Sequence, residues 1–69
     1  MQTIEITING SRTEVPENQT VENLLTHLGI RSDRVAIEID KNIVTRRLWT
    51  STSVVSGAQI EIVEFVGGG

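Results

Sequence analysis

IEIVEFVGGG, residues 60–69, is a regular apolar run that passes without a turn into three glycines, and the rest of the chain can be arranged around it. The run predicts a strand from Gln59 to Val66. Its two isoleucines lie on one face, whereas Val63 and Phe65 lie on the other, because side chains alternate between the faces of a strand. Only one of these faces can meet a core, so the apolar side chains of the other face are exposed near the end of the strand unless another segment covers them.

An alternating pattern also opens the chain and predicts a first strand. Three isoleucines at positions 4, 6 and 8 alternate with polar residues, which is typical of a strand with one buried and one wet face. Asn9-Gly10 then favours a tight hairpin, since a two-residue turn requires positive φ at both positions. We therefore expect residues 12–15 to return antiparallel and Pro16 to end the pairing, because proline has no amide donor.

One helix is predicted between this hairpin and the middle of the chain. Thr20 is a good N-cap residue and Gly29 a natural stop. The apolar residues between them share one helical face, as their spacing of i, i+3, i+4 and i+7 shows: Val21, Leu24, Leu25 and Leu28. This face is expected to pack against a sheet.

The second half of the chain carries further strand patterns. Residues 35–39 alternate and predict a strand, the turn at 40–42 reverses the chain, and Ile43-Val44 predicts a short partner strand. Residues 46–49 form an irregular or single-turn segment whose Leu48 or Trp49 covers the sheet edge. A loop through the turn at Ser56-Gly57 then leads into the last strand.

This order of elements predicts an α+β domain of about five short strands packed on one helix. If the helix lies on one face of the sheet, the last strand can lie beside the first and parallel to it, in the arrangement called a β-grasp. We expect residues 1–66 to form this domain and residues 67–69 to form a flexible tail, because glycines bury no apolar area and lose much backbone entropy on ordering.

Composition narrows the possible functions. The chain has 69 residues, no cysteine and a net charge of −3. A thiolate nucleophile or a sulfur-ligated zinc site is therefore ruled out, and the acidic balance makes nucleic acid a less favourable partner than a basic protein. His27 has no neighbour at metal-ligand spacing, so no metal site is predicted. With neither a signal segment nor an apolar run long enough for a membrane, the protein is expected to be cytoplasmic.

Two regions remain as candidates for function. Val63 and Phe65 either form a docking surface for a partner or are covered by a loop residue such as Trp49, and the sequence favours neither alternative. The glycines project the terminal carboxylate roughly 10 Å beyond the last side chain at ~3.3 Å per residue. They are either a frayed terminus or a tail that threads a narrow channel in another protein, and the regular strand before them favours the tail.

Several segments together give a resemblance over essentially the whole chain. It is carried by Asn9-Gly10 and by the segments at 20–25, 35–39, 43–49, 57–62 and 66–69. In these segments the chain resembles the ThiS family of thiamine-biosynthesis sulfur carriers, which have a ubiquitin-like β-grasp fold. The segment that leads to Trp49 and the last strand with its glycines are the most specific parts.

The resemblance implies a protein co-substrate and not an enzyme. An E1-like adenylyltransferase would use ATP and magnesium to convert the carboxylate of Gly69 to an acyl-adenylate. Sulfur from a cysteine desulfurase-derived persulfide would then displace AMP and leave a thiocarboxylate, which thiazole synthase would use for the thiazole of thiamine. The residues expected to contact these partners are Val63, Phe65, Val66, Gly67 and Gly68, and the carrier itself would bind no cofactor.

Two related functions fit the same tail. The small subunit of molybdopterin synthase has the same fold and activation chemistry, although members of that family tend to be longer. A ubiquitin-like modifier would instead form an isopeptide bond through Gly69. A plain binding module of this fold would not need the glycine tail.

Overall fold

The computed structural model describes residues 2–65. Within them the chain forms seven strands and one helix: β1 (Thr3–Ile8), β2 (Ser11–Pro16), β3 (Gln19–Thr20), α1 (Val21–Leu28), β4 (Val35–Ile39), β5 (Asn42–Val44), β6 (Ser53–Val54) and β7 (Gln59–Glu64). Single 3₁₀ turns lie at Ser32–Arg34 and Arg46–Leu48. The second of these is the single-turn segment that the sequence predicts.

Five of the strands form one mixed sheet in the order β2-β1-β7-β4-β5. The last strand is parallel to the first, with Thr7 beside Gln59 and Ile8 beside Ile60, and every other pairing in the sheet is antiparallel. The helix packs on one face. This confirms the predicted α+β arrangement of five strands on one helix, with β7 at the centre.

Both hairpin turns use positive φ, which the sequence predicts for Asn9-Gly10. Asn9 and Gly10 have φ values of 49° and 84°, and they join β1 to β2 with Thr3 paired to Pro16 at the far end. Asp40 and Lys41, at 50° and 71°, join β4 to β5. Short polar residues and glycine tolerate this left-handed region best, so the predicted turn at 40–42 has a clear local cause, although lysine is less suited to it.

The helix begins and ends where it was predicted to. The amide of Asn23 donates to the Thr20 hydroxyl, and the Thr20 amide donates to the side-chain oxygen of Asn23. Each side chain thus accepts a hydrogen bond from the backbone amide of the other residue. At the other end Gly29 adopts a φ of 73°, and its amide donates a hydrogen bond to the carbonyl of Thr26. The helix therefore runs for a little over two turns.

The core lies between α1 and the inner face of the sheet. Its buried members are Ile6, Val15, Val21, Leu24, Leu25, Val35, Ile37, Trp49, Val54, Ala58 and Ile60. Trp49 is the largest of them, and its Nε1 donates to the carbonyl of Val44 at 2.8 Å. Leu48, the other candidate for covering the sheet edge, is 46% exposed, so Trp49 has this role.

Some features were not predicted, or were predicted at other bounds. β3 and β6 form a separate two-stranded sheet beside α1, and each has only two residues, too few to show a pattern. β7 ends at Glu64 and not at Val66, because its partner β4 begins at Val35, opposite Glu64. Phe65 keeps one hydrogen bond beyond that point, from its amide to the carbonyl of Arg34 at 2.7 Å.

Candidate functional site: the end of the last strand

The last residues of β7 extend past the end of β1. β1 stops at Ile8, opposite Ile60, so β7 continues beyond this point with β4 as its one strand neighbour. The side chain of Asn9 takes the place of the missing strand: its amide nitrogen donates to the carbonyl of Ile62 at 3.2 Å, and its oxygen accepts from the Ile62 amide at 2.8 Å. The final strand is thus held on both edges as far as Ile62.

Val63 and Phe65 are both exposed, at 54% and 58%. Their place on the face opposite the isoleucines follows from the register, in which Val63 lies across from Ala36 and Ile62 across from the buried Ile37. Trp49 lies in the core on the other side of the sheet and does not cover them. Of the two alternatives left by the sequence, the structure supports an apolar surface that is open to a partner.

A third apolar side chain belongs to the same face. Ile43 of β5 lies opposite Glu38 of β4, which in turn lies opposite Glu61 of β7. Ile43 is 75% exposed, whereas its neighbour Val44 packs on the core. We call the surface formed by Ala36, Glu38, Ile43, Glu61, Val63 and Phe65 the outer face. Sequence reasoning missed Ile43 because the alternation in a three-residue strand does not reveal which residue points inward.

The remaining predicted site residues, Val66, Gly67, Gly68 and Gly69, lie outside the described residues. Their roles stay predictions. Between residues 2 and 65 there is no group of three or more histidine, cysteine or acidic side chains that could hold a metal ion. In the same part of the chain, no helix is long and apolar enough to cross a membrane.

A cleft in the described structure lies far from this site. Its volume is about 530 Å³, and it is lined by Gln2, Pro16, Glu17, Asn18, Gln19, Asn23, Thr26 and His27. Because β1 and β7 are parallel, Gln2 and Phe65 lie at opposite ends of the sheet, roughly 35 Å apart at ~3.3 Å per strand residue. His27 therefore takes no part in the candidate site.

The family of the chain is established by a match along nearly its whole length. The model of the ThiS family matches residues 2–69, and so includes the tail. This chain belongs to the ThiS family. The resemblance carried by its motifs is thereby confirmed.

Several curated proteins are similar to this member of the ThiS family. It is 38% identical over 66 residues to the thiazole synthase of Paramagnetospirillum magneticum and 35% identical to that of Magnetococcus marinus. The match covers 96% of this chain but 20% of each thiazole synthase, so the chain spans about a fifth of their length. It is also 38% identical to the uncharacterized protein ycf40 of Porphyra purpurea, of which it covers 93%.

Solved structures agree on the fold. A crystal structure of the thiamine biosynthesis protein ThiS from Geobacter metallireducens superposes with a TM-score of 0.84 at 29% identity, covering 96% of this chain and 100% of that one. A designed protein based on human erythrocytic ubiquitin gives a TM-score of 0.55 at 18% identity, which supports the fold alone. The ubiquitin-like β-grasp predicted from the sequence is therefore confirmed.

Proposed function

We propose that this protein is a sulfur carrier for thiamine biosynthesis and that Gly69 carries the sulfur as a C-terminal thiocarboxylate. The observation that supports this most strongly is the ThiS family match, which includes the glycine tail. Similarity to two thiazole synthases supports that enzyme as the acceptor. The carrier is a co-substrate and acts in the cytoplasm.

The proposed chemistry needs two steps at one carboxylate. An E1-like adenylyltransferase, using ATP and magnesium, joins an oxygen of the Gly69 carboxylate to the α-phosphate of ATP and releases pyrophosphate. The terminal sulfur of a cysteine desulfurase-derived persulfide then attacks the activated carbonyl, AMP leaves, and a thiol reduces the acyl disulfide to release the thiocarboxylate. A free carboxylate is a poor electrophile, so activation must come first.

The residues of this chain suit that chemistry. Glycine places no side chain beside the carbonyl that is attacked, and it lets the tail pass through a narrow channel. The chain has no cysteine, so no internal thiol competes for the acyl group or for the sulfur. The carrier itself supplies no catalytic side chain.

The outer face is the proposed docking surface for the enzymes that use the tail. Val63 and Phe65 lie directly before the tail and expose apolar area, which is the usual composition of an interface centre. Glu38 and Glu61 flank them and favour a partner surface with basic residues. Val66, Gly67 and Gly68 connect this surface to Gly69 and are proposed to lie in the channel.

The proposal is tested by mass spectrometry of the intact protein. The chain is incubated with an adenylyltransferase and a thiazole synthase from the same organism, ATP, magnesium, cysteine and a cysteine desulfurase. We expect the mass change of one oxygen replaced by sulfur, localised to the C-terminal peptide. A variant with alanine added after Gly69 should not react, and a variant that lacks residues 67–69 should not react but should unfold at the same urea concentration as the wild type.

Two other outcomes would assign a different function. An adduct of Gly69 on a lysine of another protein, with no sulfur-bearing form under any donor, would indicate a ubiquitin-like modifier. A thiocarboxylate that serves the large subunit of molybdopterin synthase but not thiazole synthase would indicate the molybdenum cofactor pathway.

A further inference from the structure

Cationic side chains gather at the end of the sheet where the chain leaves β7. Arg34 directly precedes β4, and its carbonyl accepts from the amide of Phe65 at 2.7 Å. Arg31 lies three residues earlier, before the 3₁₀ turn Ser32–Arg34. Both arginines therefore lie close to the point from which the tail departs.

The second 3₁₀ turn brings two more arginines to the same place. Arg46 donates from Nη2 to the carbonyl of Ser32 at 2.8 Å, and its guanidinium lies 5.3 Å from the centre of the Trp49 ring. The hydrogen bond to Ser32 joins the turn Arg46–Leu48 to the turn Ser32–Arg34. Arg47 follows in the same turn and is exposed. We call the group of Arg31, Arg34, Arg46 and Arg47 the arginine collar.

Two members of the collar are available to a partner. Arg31 forms an ion pair with Asp33 at 3.0 Å, and this hydrogen bond holds the pKa of the Asp33 carboxyl below its ordinary value. Arg46 is engaged by Ser32 and Trp49. The side chains of Arg34 and Arg47 are exposed and form no hydrogen bond or ion pair with any residue between 2 and 65.

The collar stands out against the charge of the rest of the molecule. The chain has six lysines and arginines and nine acidic residues, and four of the cations are in the collar. The two others, Arg12 and Lys41, lie toward the opposite end of β7, beside Thr7 and Gln59. Asp33 and Glu64 are the acidic residues at the collar, so the remaining seven carboxylates lie elsewhere. A positive end on a negative protein orients it as it approaches a partner.

The length of the tail forces the collar close to any enzyme that holds Gly69. Four residues separate Phe65 from the end of Gly69 and span at most ~13 Å at ~3.3 Å per residue. A channel that binds the terminal carboxylate inside a protein therefore has its mouth near the end of β7, where the Phe65 amide binds the Arg34 carbonyl and the turn Arg46–Leu48 meets the turn Ser32–Arg34. Carboxylates are the natural partners of guanidinium groups, because two parallel hydrogen bonds can form.

We propose that the arginine collar docks on acidic side chains around the mouth of the thiazole synthase channel that admits the tail. This rests on the proposed function. Nucleic acid fits the surface less well, because Asp33 and Glu64 at the collar would repel phosphates, whereas separate carboxylates on a protein rim can be placed opposite Arg34 and Arg47. The collar thus aligns the tail with the channel while the apolar outer face supplies contact area.

The test compares two charge reversals of equal size. Arg34→Glu/Arg47→Glu changes the collar, and Arg12→Glu/Lys41→Glu changes the net charge by the same amount at the other end. Binding to thiazole synthase from the same organism is measured by surface plasmon resonance at low and high salt. We expect the collar variant to associate at least about tenfold more slowly and to lose most of the salt dependence, because steering by charge acts on the association rate. The control should stay within about twofold.

Several results would overturn the proposal. Equal losses in both variants would indicate a general charge effect, and unchanged binding of the collar variant would show that the rim is not acidic. Circular dichroism of each variant distinguishes a binding defect from a folding defect. The milder Arg34→Gln/Arg47→Gln variant removes the charges without reversing them, and its association rate should fall by less than that of the charge reversal. Collar-dependent retention on single-stranded RNA would assign the arginines to nucleic acid. If the wild type gains sulfur and binds thiazole synthase but the collar has no effect, the proposed function stands and the inference falls, whereas a wild type that never gains sulfur contradicts both.

Discussion

At the scale of single residues, Asn9 does more than the sequence suggests. Asn-Gly predicts a hairpin, and the positive φ of Asn9 confirms that role. The same side chain also closes the open edge of β7 through two hydrogen bonds to Ile62, 53 positions along the chain. No local pattern reveals such a contact, because it depends on β7 lying beside β1 with β1 ending one residue before Asn9.

This second role can be separated from the first by substitution with glycine. Asn9→Gly keeps the positive φ and removes both hydrogen bonds, so we expect a loss of about 2 kcal/mol in the free energy of unfolding, at about 1 kcal/mol per bond. Asn18→Gly is the matched control, because Asn18 also has positive φ, at 63°, and the two variants share the entropic cost of an added glycine. Urea denaturation measures both. Similar losses in the two variants would show that the contact to Ile62 contributes nothing.

At the scale of elements, the sequence predicts the position of β7 and the assignment of its side chains to two faces, but not whether its second face is covered. Alternation identifies its two faces, and the isoleucines pack on the core as expected. Whether Val63 and Phe65 are covered depends on where residues 46–49 lie. The hydrogen bond from Trp49 Nε1 to the carbonyl of Val44 fixes that position, and no pattern in β7 reveals it. A strand with apolar residues on both faces therefore indicates a possible surface but cannot establish its exposure.

The exposure of this face leads to a prediction about partner binding. Val63→Ala and Phe65→Ala should each lower the free energy of unfolding by less than about 1 kcal/mol, whereas a buried phenylalanine would cost about 3–5 kcal/mol. Both should weaken binding to the adenylyltransferase or to thiazole synthase, by about tenfold or more for Phe65→Ala. Calorimetric titration with each enzyme and urea denaturation of the same variants provide the two measurements.

Val55 offers a control for these variants. It is 59% exposed, close to the 54% of Val63, and it lies in the loop before β7, at the opposite end of that strand. Val55→Ala should therefore leave partner binding unchanged. If it weakens binding as much as Val63→Ala does, the docking surface is not at the outer face.

At the scale of the whole molecule, the sequence was sufficient for the order of the long elements and for placing the last strand beside the first, but the antiparallel pairing of β4 with β7 was not predicted. The hairpin turns, the helix caps and the parallel placement of the last strand all follow from local chemistry together with the rules of strand connection. The small β3–β6 sheet and the arginine collar do not follow, since each depends on which loops the fold brings together. Arg31, Arg34, Arg46 and Arg47 belong to two separate turns that meet through Ser32.

The parallel pairing of β1 and β7 also determines how the domain bears load. Force applied between Gln2 and Phe65 pulls these neighbours along their axes in opposite directions, so the hydrogen bonds between them are loaded together and not one after another. Thr3 and Pro16, by contrast, face each other across the hairpin, and force between them opens its pairs one at a time. The absence of native cysteine lets introduced pairs define the points of attachment. Single-molecule force measurements on Gln2→Cys/Phe65→Cys and Thr3→Cys/Pro16→Cys should give the higher rupture force for the first pair, and a lower force there would contradict this reading. An enzyme that pulls on the tail would thus load β7 along its axis, the direction in which its hydrogen bonds to β1 resist together.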